Sequence, residues 1–260
     1  MDEWNFKRVG IEDQKLIEEY FRKYPERSCD RTFFGVLLWG RHYNLKFADT
    51  GKALLFREED ERGYGFAWPA GSEEEIRELI PQMEMYCEKH GGEFLMYGLS
   101  EAQFALLDSW YPGRYQIEYD RDAADYIYES EKLCTLSGKK LHGKRNHINK
   151  FKATYEDWAY EPLEEDNLEE CFQMALKWRN ENGCEDDEEK NCEMCVTLNS
   201  LRLFRELHLR GGVLRVHSEI VAVYCRGTSK RGHLCRAYRK GICRSDPGAY
   251  TMINQQVCGA

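Results

Sequence analysis

Residues 125–155 read DYIYESEKLCTLSGKKLHGKRNHINKFKATY, and their reading sets the fold of the second half of the chain. DYIY is a short strand-like run. The stretch Lys139–Lys152 that follows has helical spacing and holds Lys139, Lys140, Lys144, Arg145, Lys150 and Lys152, with His142 and His147 among them. The 260-residue chain around it carries a formal net charge of -9. A basic cluster on an acidic background concentrates positive potential, which suits a polyanion such as phosphate, a nucleic-acid backbone or an anionic headgroup. Asn146, Asn149 and Asn180 would add neutral donors. A solvated helix that happens to be basic fits the same composition. Gly143 costs this helix roughly 1 kcal/mol against alanine, so it marks either a close backbone approach or a packing constraint.

Working outward, the second half continues with a strand at Trp158–Pro162 and helices near Glu165–Asn182 and Asp186–Leu209. Arg210-Gly211-Gly212 then breaks to a strand hairpin running through Val223. The acidic run Glu185–Lys190 suits a helix N-terminus, where the macrodipole favours negative charge. The first half alternates in the same way. Ile11–Lys23 and Arg31–Tyr43 have helical apolar spacing, and Leu45–Phe47 and Ala53–Arg57 form a hairpin around Asp49-Thr50-Gly51. Ser72 and Glu75 make a capping box for a helix to His90, which Gly91-Gly92 ends. Phe94–Tyr97 is a short strand, Ser100–Trp110 a helix closed by Pro112-Gly113, and Tyr115–Tyr119 a strand. Trp39, Trp68, Trp110, Trp158 and Trp178 sit at core-like positions, with Phe66-Ala67-Trp68-Pro69 as a more loop-like run that could instead line a cleft.

Five stretches carry a family resemblance: Arg121–Tyr128 (RDAADYIY), Ser137–Phe151 (SGKKLHGKRNHINKF), Tyr160–Trp178 (YEPLEEDNLEECFQMALKW), Gly211–Val216 (GGVLRV) and Gly248–Gln256 (GAYTMINQQ). Together they resemble the family named after the C-terminal domain of phosphatidylglycerol lysyltransferase, soluble tandem acetyltransferase-like proteins. The resemblance covers nearly the whole chain. It implies an α/β (α+β) fold of two tandem GNAT (acyl-CoA N-acyltransferase)-like lobes, residues 1–122 and 123–260.

The resemblance also implies chemistry. Lysyltransferase relatives use an aminoacyl-tRNA donor and a lipid headgroup acceptor. On that basis Lys139, Lys144, Arg145, Asn146 and Lys150 hold phosphates. Gly248, Tyr250 and Asn254 lie on the helix whose start sits where acetyltransferases cradle a pyrophosphate on backbone N–H groups. GAYTMINQQ lacks the glycine-rich loop usual for acetyl-CoA. The implied function is acyl or aminoacyl transfer to an amine or hydroxyl, with aminoacyl-tRNA or acyl-CoA as donor. The alternatives are a non-catalytic tRNA- or nucleotide-binding module and a CoA-dependent N-acyltransferase. No catalytic base is assigned: the family's histidine and glutamate before this helix are replaced by Ala237 and Arg239.

Tyr224–Ser245 (YCRGTSKRGHLCRAYRKGICRS) breaks the pattern, with seven basic residues, no acidic residue and three cysteines. A lobe of this kind needs its central strand here, yet the stretch has neither alternation nor β-branched content. Shifting the codons by one nucleotide permits FTVGEQVNEDTFVVHIEKAYAD, a hairpin turn followed by a strand. We therefore expect two compensating indels, near Val223 and Asp246, and a second lobe left incomplete after residue 256. Such a product is expected to be unstable or inactive.

The eleven cysteines are an odd number with no secretory signal before them, so reduced thiols in a cytoplasmic protein are expected. Cys192-x-x-Cys195 with Cys184 lacks a second pair at zinc spacing, and no metal is expected. His90, His208 and His217 lack ligand spacing and are read as structural or exposed. No apolar run is long enough to span a bilayer, which leaves peripheral contact with anionic lipid as the membrane option.

Overall fold

In the computed structural model, which describes residues 4–60, 63–122, 124, 129–227 and 248–259, the chain divides into two units, Met1–Asp125 and Tyr126–Ala260. In the first, β1 (Lys7–Arg8), α1 (Gln14–Lys23), α2 (Phe33–Trp39), β2 (Lys46–Asp49), β3 (Leu54–Asp60), β4 (Gly63–Ala67), α3 (Glu73–Lys89), β5 (Leu95–Tyr97) and α4 (Glu101–Trp110) follow in order. The strands form one sheet in chain order, antiparallel except for β4–β5. That parallel pair needs a crossover, which α3 supplies.

Period-2 alternation sorts the first core. Leu55 joins Phe66, Ile80 and Met83 under α3, while the neighbouring Phe56 ring lies 5.5 Å from Phe21 of α1. The capping box forms as read: Ser72 N donates to Glu75 Oε2 at 2.8 Å, and Glu75 N donates to Ser72 Oγ at 3.3 Å.

Two expectations in this unit are corrected. Phe66 and Ala67 belong to β4, not to a cleft-lining loop: Phe66 pairs with Arg57 and Met96, and its side chain is fully buried. Trp68 is also buried and stacks on Trp110 at 6.0 Å. Gly63, Gly65 and Pro69 had disguised the strand. Tyr115–Tyr119 is not a strand, and Ile117 and Tyr119 are 58% and 72% exposed. Their alternation finds no neighbouring edge to pair with.

The second unit contains α5 (Ser130–Thr135), α6 (His142–Thr154), β6 (Ala159–Pro162), α7 (Glu165–Glu181), α8 (Glu188–Arg202), β7 (Arg210–Val216), β8 (Glu219–Arg226) and α9 (Ala249–Gly259). Its antiparallel sheet has the order β6-β7-β8. Leu214, Val216, Ala222 and Tyr224 face one cluster, with Ile148 and Phe151 of α6 and Met252 and Ile253 of α9. Val213, Ile220, Val223 and Cys225 face the other, with Cys171 and Ala175 of α7 and Met194 and Leu201 of α8. The unit is a sheet between two helical layers, a standard way to bury both faces. Leu214 pairs with Ala222 and Arg215 with Ile220, so Val221 is the extra residue of a β-bulge.

β8 extends past Val223, with Tyr224, Cys225 and Arg226 paired to Gly212, Gly211 and Arg210. These first residues of the unusual basic stretch therefore alternate between the two cores as a strand should. Residues 228–245 of that stretch, and 246–247 after it, lie outside the described residues, as do 125–128 of the expected strand Asp125–Glu129. α8 stops at Arg202, before the expected Leu209. The apolar run continues, but Leu209 N bonds back to Phe204 O at 3.0 Å around His208, whose φ is 49°. That left-handed residue closes the turns of residues 203–208 that follow the helix.

Candidate functional site

The basic helix forms as expected, entered through a 3-10 turn at Lys139–Leu141 and running His142–Thr154. Its buried residues, Ile148 and Phe151, hold it to the sheet. The charges do not share one face. At about 100° per residue, Lys144, Lys150 and Lys152 leave the helix between roughly 80° and 160° apart. Lys139, Lys144 and Lys150 are exposed, and Lys152 lies 5.4 Å over the Trp158 ring.

Arg145 spends one guanidinium nitrogen on the backbone nearby. Its Nη1 donates to the Leu136 carbonyl and, at 2.9 Å, to the Gly138 carbonyl. Leu136 caps α5 with φ 50°, so the guanidinium satisfies carbonyls at that helix end. Asn146 Nδ2 lies 3.2 Å from His142 Nε2, one turn back on the same helix.

The start of α9 meets α6 closely. Gly248 has φ 105°, and a Cβ there would stand 2.4 Å from the His147 carbonyl oxygen and 3.1 Å from Phe151 Cβ. Only glycine permits this approach. The first helical turn of α9 carries no acidic residue, and by helix geometry its leading N–H groups have no partner within the helix. Asn254 turns its amide back to the Tyr250 carbonyl at 2.7 Å, and Gln255 Nε2 donates to Cys134 O of α5 at 3.0 Å. The structure thus brings Gly248 to the middle of α6, while Arg145, Asn146 and Asn254 bond within their own surroundings.

Gly143 lacks the neighbour that a close approach requires: a Cβ there would meet nothing within 4 Å. Gly143→Ala should therefore raise stability by about 0.5–1 kcal/mol, read as a higher urea midpoint with unchanged slope.

Sequence reasoning missed a second cluster at the β7–β8 turn. His217 Nδ1 and His217 N each lie 2.8 Å from Asp157 Oδ2. Arg215 binds Glu170 through two nitrogens at 2.6 and 2.7 Å, Glu161 at 2.8 Å and the Ser218 carbonyl at 3.1 Å. These bonds hold the Glu170 carboxyl below its ordinary value and raise Arg215 further. Asp157 and His217 are 60 residues apart, so no local spacing announces the pair.

Three buried cysteines are held as thiols. Burial pushes Cys87 to about 11 and Cys171 to about 12, and it raises Cys225 further. Among the described residues, no group of three or more His, Cys, Asp or Glu could hold a metal ion, and no helix is long and apolar enough to cross a membrane.

Comparison with known proteins fits this architecture. The family model described as "Phosphatidylglycerol lysyltransferase, C-terminal" matches residues 21–260. A conserved protein of unknown function from Bacteroides thetaiotaomicron VPI-5482 superposes with a TM-score of 0.85 at 29% identity, over 98% of this chain and 86% of that one. The C-terminal domain of an Agrobacterium fabrum protein assigned as a lysylphosphatidylglycerol synthetase matches with a TM-score of 0.54 at 15% identity, over 95% and 76% of the two chains. That likeness establishes a mixed α/β, GNAT-like fold. An uncharacterized protein of Mycoplasmoides gallisepticum is 34% identical over 89 residues, 34% of this chain and 28% of that protein's length.

Proposed function

The chain belongs to the phosphatidylglycerol lysyltransferase C-terminal family, and from that membership we propose that it transfers an acyl or aminoacyl group from a phosphate-bearing donor to an amine or hydroxyl. The observation that carries this reading is a contrast between two helix starts. In the first unit α3 opens with Glu73, Glu74 and Glu75, and Glu75 already occupies the Ser72 N–H. An anion is unwelcome there. In the second unit the start of α9 has no acidic residue, and Gly248 seats it against the basic helix α6. Aligned N–H groups at the helix start favour a phosphate at that place, with the lysines of α6 adding positive potential from the neighbouring helix.

The donor of this reading is an aminoacyl-tRNA, with acyl-CoA as the smaller alternative and anionic lipid as a peripheral contact. Lys139, Lys144 and Lys150 would neutralise donor phosphates, and the enzyme would mainly orient the acceptor and stabilise the oxyanion. We also read residues 1–122 and 123–260 as two lobes of one plan. Residues 224–245 we read as out of frame, which the nucleotide sequence across codons 221–260 decides.

The test is binding followed by transfer, with a charged tRNA and with CoA as separate probes. The double variant Lys144→Glu/Lys150→Glu should flatten the slope of log affinity against log salt by about 1.5, as two lost phosphate contacts require. Unchanged affinity and slope with both probes would sink the reading. Salt-sensitive binding without label transfer to any amine or hydroxyl would leave a nucleotide-binding module.

A further inference from the structure

Resting on the proposed acyl transfer, we propose that His217 is its proton-transfer residue, with Asp157 as the residue that positions it. Asp157 Oδ2 lies 2.8 Å from His217 Nδ1 and accepts the His217 backbone N–H at 2.8 Å. With the proton on Nδ1 facing the carboxylate, the lone pair of Nε2 points away from Asp157, the form a general base requires. The histidine is 73% exposed at its side chain, so an acceptor can reach it.

The turn that carries His217 is built to hold it. Both residues of the two-residue hairpin, His217 and Ser218, have positive φ, 53° and 64°. Such turns ordinarily use Asn or Gly at these positions, and a histidine there is a strained choice. Asp157 fixes one side of the turn, and Arg215 fixes the other through the Ser218 carbonyl at 3.1 Å. Arg215 is itself anchored by Glu161 and Glu170.

Ring contacts connect the turn to the residues around the start of α9. The Tyr155 ring meets His217 edge-on at 6.3 Å and packs on Phe151 at 5.0 Å. Phe151 is the side chain that borders Gly248 at the start of α9.

The step balances without further reagents. The acceptor nitrogen or oxygen attacks the donor carbonyl carbon as Nε2 takes its proton. The new C–N or C–O bond forms while the donor ester C–O or thioester C–S bond breaks. The proton then passes from Nε2 to the departing oxygen or sulfur.

The decisive variant is Asp157→Asn. Its amide oxygen can still accept the His217 backbone N–H, so the hairpin and the melting temperature should stay as they are. The same oxygen can still accept Nδ1–H, but the carboxylate charge that stabilises His217 once it holds the acceptor's proton is lost, and transfer from the charged donor should fall about 10²-fold or more, as should transfer in His217→Gln. His208→Gln should leave the rate unchanged. Donor binding by charged tRNA and by CoA is measured on the same variants and should not move. Loss of binding in wild type would count against the proposed function, not against the pair. In that event, hydrolysis of p-nitrophenyl acetate decides: wild type should be faster than both variants, with His208→Gln equal to wild type. Transfer or hydrolysis untouched by Asp157→Asn and His217→Gln would overturn the proposal.

Discussion

Gly248→Ala should destabilise the second unit by about 2–5 kcal/mol, in contrast to the gain expected at Gly143. Gly248 holds φ 105°, in a region an L side chain enters only at a cost of about 1–3 kcal/mol. The added Cβ would stand 2.4 Å from the His147 carbonyl oxygen, a backbone atom inside α6 that cannot swing aside. Relief requires α9 to shift, and α9 carries Met252 and Ile253, both fully buried in the cluster around Phe151. Moving them opens a gap in a core that tolerates little change of volume. Urea denaturation followed by tryptophan fluorescence measures the loss. Because the start of α9 moves with the shift, donor binding should fall as well, even in buffer where the variant remains folded. A midpoint equal to wild type would mean that α9 does not pack on α6 in this way.

The two glycines show what the sequence can and cannot announce. Gly143 and Gly248 look equally anomalous in one dimension, one inside a helix and one before a helix. Only the fold separates the open position from the crowded one. Where a rule is local, the reading held: the Ser72–Glu75 box, the hairpin at Asp49-Thr50-Gly51 and the basic helix all rest on contacts within a few residues. β4 escaped because Gly63, Gly65 and Pro69 mask a strand that the parallel neighbour β5 stabilises from 30 residues away. Arg145 escaped in the opposite sense. Its charge suggested a ligand, and the fold adds that the carbonyls at Leu136 and Gly138 take one of its nitrogens, which nothing in a composition count reveals. Asp157 and His217 become partners only when the end of α6 and the β7–β8 turn meet. Residues that answer to the chain nearby are legible; residues that answer to a distant partner are not.

Arg215 is such a residue, and Arg215→Met should destabilise the second unit by about 2 kcal/mol at neutral pH. The guanidinium is mostly buried, with 17% of its side chain exposed, while Glu161 and Glu170 are 39% and 48% exposed. Solvent screens the carboxylates, so the full value of a buried pair does not apply. The geometry is still favourable, because both Glu170 oxygens are engaged and Glu161 takes the remaining Nε at 2.8 Å. Methionine keeps much of the packing and removes the charge, leaving two carboxylates without their common partner.

The pH dependence separates this loss from a packing defect. The Glu170 carboxyl is depressed below its unfolded value of 4.5, chiefly by the hydrogen bond from Arg215. A group depressed in the folded state contributes stability above its unfolded pKa and loses it as pH falls through the folded one. Wild-type stability should therefore decline below about pH 4.5 as this bond is titrated, and that part of the decline should be missing in Arg215→Met. Urea midpoints measured between about pH 3 and 7 would show the two curves converging in acid. Arg215 titrates too high to contribute any slope in that window. Parallel curves would assign the loss to packing alone, and the support of the His217 turn would then rest on Asp157.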